Sequence, residues 1–359
     1  MIKKLRILFV SRHFNQSGYH ILKALIEGSI PPVGVLLKDT RDPWRNPWIR
    51  WLCLIIYRIK CLYYRADPCK VTESEELLAR KNRIQVYKIS SVKTDDFQVL
   101  LNKINPELII VGGGWHELIP ARVLDYPPYG TLNVHPSMLP EFRGTSITRW
   151  QILHNVKESG VTIHYMDESF DTGRIIMQEK VLVDQDDTPQ QLFHKLSLVA
   201  ARMMVRLLKE KGLSKPEDMG GTPQDESTGQ YFPKWKWDNE HLRIDWSQPL
   251  EIVHNFIRAN NQESYEYRGP YCYFNKERFI VRKTKLIQQA EFADQHNRVS
   301  VGEPVSVAFG DNNGLYLQKR SDPHLLHITL VQRYDSIWYL RRAHNPRRWF
   351  ENYTHCSIS

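Results

Sequence analysis

Apolar and polar positions alternate along the first two hundred residues in a way that predicts a β-α-β chain. Leu5–Ser11 is a short apolar run bounded by polar residues and reads as a buried strand. Around Tyr19–Glu27, Ile21, Leu22, Leu25 and Ile26 recur at helical spacing, and Val33–Leu37 follows Pro31 and Pro32 as a second buried strand. Strands that are apolar throughout and separated by helices imply a mostly parallel sheet covered on both faces. Further on, Thr72 with Glu75 predicts a capped helix start before Leu77 and Leu78. Ile84–Tyr87 reads as a strand, Asp95–Ile104 as a helix and Leu108–Val111 as a strand. Thr131–His135 and Val161–Met166 are strand-like, and Arg174–Val183 is extended chain. Thr188, Pro189 and Gln191 supply an N-cap, an N1 proline and an N3 glutamine for a helix running to about Lys209. Leu192, Leu196, Val199, Met203 and Leu207 lie along one side of it.

Two stretches depart from this rhythm. On a wheel of 100° per residue, Arg50, Arg58, Lys60 and Arg65 fall within about 160°. Trp51, Leu52, Ile55, Ile56, Ile59, Leu62 and Tyr63 take the opposite arc, so Trp44–Arg65 is an amphipathic helix with a wide apolar face. Such a face packs on the protein's own core, on a second copy in a homo-oligomer, or on a membrane surface or partner. The second stretch, Lys211–Gly229, is rich in Gly, Pro, Ser, Thr and Asp and reads as a linker. It divides the chain into a first domain at 1–210 (with an insertion at 41–66), a linker at 211–245 and a β-rich domain at 246–359. In the last of these Pro249–Ala259 reads as a helix. The runs Phe279–Arg282, Val299–Ala308, Leu315–Gln318 and Leu326–Val331, punctuated by Gly, Asn and Asp, suggest a small β-barrel.

At 359 residues, 42% hydrophobic and 25% charged, the chain is long enough for two domains and too apolar to be disordered. No run of 18 uncharged apolar residues predicts a membrane-spanning helix, and Arg12 ends the first apolar run too soon for a secretory signal. The cysteines, Cys53, Cys61, Cys69, Cys272 and Cys356, are odd in number and form no C-x-x-C. That points to a reduced, cytoplasmic protein with neither a disulfide framework nor a zinc site. The net charge of +9 is local: 41–66 carries +5, 332–350 carries +4, and the remainder is neutral. Two basic patches suit a nucleotide-linked substrate, an RNA backbone or a lipid headgroup, and equally a merely solvated surface.

Candidate chemistry gathers where strands end. Asn133 and His135 are two apart in an extended run, so both side chains project to one side, at the end of the sheet where α/β proteins bind ligands. Asp171 follows the Val161–Met166 strand in a loop that can reach back to them. Taken singly, a histidine at a strand end is ordinarily structural, and an Asp-Thr-Gly is ordinarily a turn. His135, Asp167 and Asp171 lack the spacing of a metal site. Gly112–Gly114 and the turn after the first strand lack G-x-G-x-x-G, and there is neither a nucleophile elbow nor a P-loop.

Read together, Asn133-Val134-His135-Pro136-Ser137-Met138-Leu139-Pro140-Glu141-Phe142-Arg143-Gly144 resembles the N-x-H-P-S-L-L-P-x-x-R-G signature of the folate-dependent formyltransferases. Gly160–His164 with Asp171-Thr172-Gly173 is similar to that family's second signature, G-V-T-x-H…D-x-G. The resemblance implies a Rossmann-like catalytic domain followed by a small β-barrel, and 10-formyltetrahydrofolate as co-substrate without a metal. It further implies Asn133, His135 and Asp171 as the catalytic set: Asn133 a donor to the developing oxyanion, His135 moving protons, Asp171 orienting it. Gly114, Trp115, His116 and Leu118, with Asp167 and Glu168, fall where the family holds the pterin. Ser137, Arg143 and Thr145 fall on the acceptor side. The mild charge of Pro249–Tyr334 points to a nucleotide-linked amino sugar or a similar small amine, with methionyl-tRNA as the alternative acceptor. A formyl-folate hydrolase and a catalytically silent binding protein remain as further alternatives.

Overall fold

The computed structural model describes residues 5–38, 48, 51, 55, 74–115, 117–211, 221–236, 240–261, 269–274, 277–288, 306–311, 314–319 and 322–333. A seven-stranded sheet organises the first part. Its strands are β1 (Ile7–Ser11), β2 (Gly34–Lys38), β3 (Gln85–Ile89), β4 (Leu108–Val111), β5 (Thr131–His135), β7 (Glu158–Tyr165) and β8 (Ile175–Leu182), while β6 (Arg143–Gly144) lies outside it. The order is β3-β2-β1-β4-β5-β7-β8. The first five strands are parallel; β7 and β8 run antiparallel to their neighbours. Strand order reverses between β1 and β4, and such a switch point opens a crevice at the carboxyl ends of the strands.

Why the sheet is buried on both sides can be read from β1. Ile7 and Phe9 face a core shared with α1 (Gln16–Glu27) and α6 (Pro189–Arg206), including Ile21, Leu22, Leu25, Leu192, Leu196 and Met203. Leu8 and Val10 face the opposite core, with Phe97, Leu101 and Ile104 of α3 (Asp95–Ile104) and Val123 and Leu124 of α4 (Ala121–Leu124). Strand alternation therefore serves two apolar layers at once, and no position on β1 is left for a solvated side chain.

Several elements match the sequence reading to the residue: α3, β4, β5 and the Thr188 capping box with Pro189 and Gln191. Helix α1 starts earlier than its apolar spacing shows, because the Asn15 side chain caps it by accepting from the Gly18 amide. The cap of α2 (Glu75–Lys81) is Ser74, which accepts from Leu77 N; the expected partner Thr72 lies outside the described residues. Glu75 does not reach back to a cap. It is fully buried and accepts from the backbone N–H of Phe14 and Asn15, both at 2.9 Å. Burial pushes its carboxyl up to about 7 against the pull of those donors. The Trp44–Arg65 helix lies outside the described residues except at Trp48, Trp51 and Ile55, which are helical, with Trp48 77% and Trp51 59% exposed. The basic stretch at 332–350 likewise lies outside them beyond Arg333.

The expected linker is only partly a linker. Residues 212–220 are outside the described set, but 221–236 are laid against the first domain. Thr222 exchanges two backbone hydrogen bonds of 2.8 Å with Ile175, and β9 (Tyr231–Phe232) pairs in parallel with β6. Beyond it, β10 (Tyr271–Phe274), β11 (Glu277–Gln288), β12 (Ser306–Asp311), β13 (Gly314–Gln318) and β14 (His324–Arg333) form an antiparallel sheet in the order β10-β11-β14-β13-β12. Helix α7 (Leu250–Asn260) packs Leu250, Val253 and Ile257 on Val281, Leu317 and Leu326 of that sheet. The other side of α7 meets the first domain through buried polar contacts. Arg258 donates to the carbonyls of Asp187 (2.6 Å) and Asp184 (3.2 Å), and His254 Nε2 faces the Gln185 carbonyl at 3.0 Å. Arg149 of α5 (Ile147–Leu153) donates to Ala259 O at 2.8 Å. The carbonyls of Asp184, Asp187 and Ala259 thus exchange water for a charged guanidinium donor.

Candidate active site

A cavity of about 500 Å³ opens at the switch point. Its walls come from the β1–α1 turn (Arg12, Asn15, Ser17), the β4 exit (Gly113, Gly114, Trp115), the end of β5 (Asn133 to Pro136), and the 144–148 turn with Asp171, Tyr231 and Lys234. Gly114 has φ +70, and a side chain there would run into Asn15 and Arg12, so the β4 exit keeps the cavity open only as glycine. Gly144, at φ +106, meets the Phe232 carbonyl where a Cβ would sit, which lets β6 and β9 close on one another.

Asn133, His135 and Asp171 do come together. Cross-strand register places Asn133 opposite His164 and His135 opposite Thr162, so one face of the β5–β7 pair carries all four. His135 Nδ1 lies 3.3 Å from Asp171 Oδ1, with side-chain exposures of 5% and 11%. Its Nε2 donates to the Phe142 carbonyl at 2.8 Å. Both ring nitrogens thus face acceptors, an arrangement that only the imidazolium satisfies. Burial alone would lower the His135 pKa, but the adjoining Asp171 carboxylate outweighs it and the value is raised. Asp171 is pushed up by the same burial and pulled well below the ordinary carboxylate range by the His135 charge and by Gly144 N, which donates to Oδ2 at 3.0 Å.

His164 closes the second signature in the sequence but was assigned no role in the site. It is buried, its pKa is lowered by desolvation despite Asp171, and its Nδ1 donates to Tyr165 O at 2.6 Å. In the neutral tautomer Nε2 accepts from Asn133 Nδ2 at 3.2 Å, while the second Nδ2 hydrogen goes to Asp171 Oδ1 at 3.3 Å. Both amide hydrogens of Asn133 are therefore engaged inside the cluster, and the end of the amide that these bonds leave over is an acceptor, not the expected donor. Its oxygen is the group left for a ligand.

Of the other sequence candidates, Gly114, Trp115 and Thr145 line the cavity. Trp115 Nε1 and Thr145 Oγ1 are buried without a hydrogen-bond partner among the described residues. Ser137 is fully buried, gives its hydroxyl hydrogen to Glu141 O at 2.7 Å, which shapes the 137–141 turn, and does not line the cavity. Arg143 is buried on Gln224, at 2.8 and 3.3 Å, behind the cavity wall. Asp167 is spent on Thr172 and Ser169, Glu168 and Leu118 are exposed, and none of the three lines the cavity. His116 lies outside the described residues. Among the described residues no group of three or more His, Cys, Asp or Glu could hold a metal ion, and no helix is long and apolar enough to cross a membrane. Arg12, Ser17, Tyr231 and Lys234 were missed because nothing local marks them: they reach the site from the turn after β1 and from 221–236.

With this geometry in place, comparison with known proteins is specific. Residues 63–208 match the family model described as "Formyl transferase", and 236–335 match "Formyl transferase, C-terminal domain". A methionyl-tRNA formyltransferase of Syntrophus aciditrophicus is 31% identical over 225 residues, covering 63% of this chain and 67% of its own. Another, of Carboxydothermus hydrogenoformans, is 31% identical over 250 residues, 69% and 73% of the two chains. Among solved structures, an N-formyltransferase from Helicobacter canadensis in complex with folinic acid and dTDP-3-aminofucose superposes with a TM-score of 0.58 at 16% identity, over 92% of this chain and 100% of that one. That last likeness is one of fold.

Proposed function

Because the chain belongs to the formyl transferase family, we propose that it moves a formyl group from 10-formyltetrahydrofolate to a primary amine on a nucleotide-linked amino sugar or a similar small acceptor. The observation that carries formyl transfer is the convergence of Asn133, His135 and Asp171 on one wall of a cavity at the switch point. The cavity suits a folate. Its volume lies in the range of small-molecule sites, and the unpaired Trp115 Nε1 and Thr145 Oγ1 are buried polar atoms that a polar ring edge would satisfy. Trp115, the Gly113-Gly114 backbone and Thr145 are the residues assigned to hold it. The co-substrate supplies an electrophilic one-carbon unit on nitrogen.

The chain's own groups do the remainder. His135 presents a fixed positive charge where negative charge develops on the formyl oxygen, and preset charge of this kind is ordinarily the largest catalytic contribution. Its Nε2 proton, shared with the Phe142 carbonyl, is the one to pass to the nitrogen that leaves, and the ring regains one from the attacking amine. Asp171 keeps the ring charged and oriented. The Asn133 oxygen accepts an N–H of the amine and points its lone pair at the carbon. Arg12 and Lys234, both exposed on the lining, suit a phosphate on the acceptor.

A second reading, methionyl-tRNA as acceptor, is favoured by the names of the relatives above. An acceptor screen with 10-formyltetrahydrofolate decides between them: formylated Met-tRNA and formylated amino sugar are told apart by mass spectrometry. Release of formate with no formylated amine from either class would mean a hydrolase and would remove the transfer reading. Folate binding without turnover of any kind would mean a silent scaffold.

A further inference from the structure

Gln224 lies in the stretch that the sequence marks as a linker, between exposed neighbours, yet its side chain turns inward. Every hydrogen-bonding position of its amide is used. Nε2 donates to the backbone carbonyls of Asp171 (2.9 Å) and Gly173 (2.7 Å). Oε1 accepts from Arg143 Nη2 (2.8 Å) and Nε (3.3 Å). Arg143 N in turn donates to Gln230 O at 3.0 Å, and the next residue, Gly144, gives its N–H to the Asp171 carboxylate.

Asp171 needs this support. It sits at φ 59, in the left-handed region, in a loop whose Glu168, Ser169 and Phe170 are all exposed. A non-glycine residue holds that conformation only where its surroundings impose it. Gln224 grips the backbone at Asp171 itself and two residues further on. Through Arg143 it also grips the strand that offers Gly144 N–H to the same carboxylate. One amide from outside the first domain therefore cross-links the two segments that aim Asp171 at His135.

We propose that Gln224 is a positioning residue for formyl transfer: it fixes the Asp171 carboxylate against His135, so that the site is complete only when residues 221–236 are docked. The proposal rests on the formyl-transfer reading for its catalytic consequence, but not for its structural one. The groups that face His135 are Asp171 from the β7–β8 loop, the Phe142 carbonyl, His164 on β7, Arg143 on β6 and the neutral Asn133 beside it. Only Asp171 is held by Gln224 at its own backbone. A loosened Asp171 loses its grip on the imidazolium, which lowers the pH at which the ring gives up its proton.

The test reads the His135 ring directly, by NMR titration of histidine ring carbons in the full ligand-free chain from pH 5 to 9, with His135→Ala to assign the signal. Gln224→Met, which keeps the length and removes every hydrogen bond, is expected to lower the titration midpoint by roughly one unit. It is also expected to lower kcat at least about tenfold, with the KM for 10-formyltetrahydrofolate within about twofold. Gln224→Asn, whose amide falls one methylene short, carries the same expectation as Gln224→Met and replaces it if that chain does not fold. A Gln224 variant that folds and titrates like the parent chain overturns the proposal. If no acceptor is ever formylated, the ligand-free titration still decides the role of Gln224, so the two readings fail separately.

Discussion

Replacing Asp171 by Asn removes one charge and one acceptor: with the amide oxygen kept on Gly144 N, the NH2 takes the place of Oδ1, which accepts from Asn133 Nδ2 and faces His135 Nδ1. Asparagine tolerates the left-handed backbone that Asp171 occupies, at φ 59, and its amide oxygen can still accept from Gly144 N. What disappears is a carboxylate 3.3 Å from His135 Nδ1. At that separation, with an effective dielectric of about 20, the attraction is about 5 kcal/mol, equivalent to between three and four pKa units as an upper bound. Solvent and the remaining amide dipole reduce this, so a fall of about two units is the working expectation. The sign follows from the structure. His135 titrates above its ordinary 6.5, so its charge contributes stability that is complete below pH 6.5 and lost as pH rises through the raised value. Asp171 titrates below its ordinary 3.8, so its contribution is present above pH 3.8 and lost only as pH falls through the depressed value. The pair is therefore intact on the acid side of neutrality, and the two chains should differ most in melting temperature near pH 5–6.5, converging as the parent imidazolium titrates. In Asp171→Asn burial is opposed only by the hydrogen bond to the Phe142 carbonyl, and the ring is expected to be neutral at pH 7. The assay is kcat/KM for formyl transfer against pH. The alkaline limb should move to lower pH and the rate at pH 7 should drop by at least about 10². An unchanged profile in a folded variant would show that the His135 charge is not what the reaction uses.

Two further substitutions probe the same construction. Asn133→Ala or His135→Ala should fold and melt as cooperatively as the parent chain yet lose at least about 10² in formyl transfer; normal turnover by either purified variant ends its assigned role. Gly112→Ala should act on the scaffold instead, since an added Cβ would overlap the ring of the fully buried Phe9. Overpacking of this kind costs about 1–3 kcal/mol, visible as a thermal midpoint lower by several degrees, and an unshifted midpoint would mean that the ring has room to move aside.

The elements that were legible in the sequence share a simple physics. β4 and β5 are short apolar runs that must be buried, and α3 and α6 carry their own start signals, so local residues decide both type and boundary. Asn133 and His135 were legible as a pair because two-residue spacing in a strand fixes a shared side. His164 was legible only as the end of the second signature; its place beside Asn133 was not, because that depends on β7 pairing with β5 at that register and in the antiparallel sense. Hydrophobic periodicity reports that a strand is buried and is silent about its neighbour. Glu75 was misread for a related reason: its spacing from a threonine matches a capping box, but the donors it meets are at Phe14 and Asn15, some sixty residues away.

The polar residues that complete the site are the ones local patterning cannot announce. Gln224, Tyr231 and Lys234 stand in a stretch whose composition is that of a connector, and a connector is free to be polar without meeting anything. Here the polarity has a destination. A buried imidazolium–carboxylate pair is stable only if its remaining donors and acceptors are met, and the loop that brings Asp171 supplies too few of them itself. The shortfall has to be made up by a segment that arrives after the first domain's last helix. The charge on His135 is thus set by Asp171, the aim of Asp171 by groups on both sides of it, and one of those groups by a glutamine 53 residues further along the chain. Composition gave no sign of that dependence, but it follows once each buried polar atom is required to have a partner.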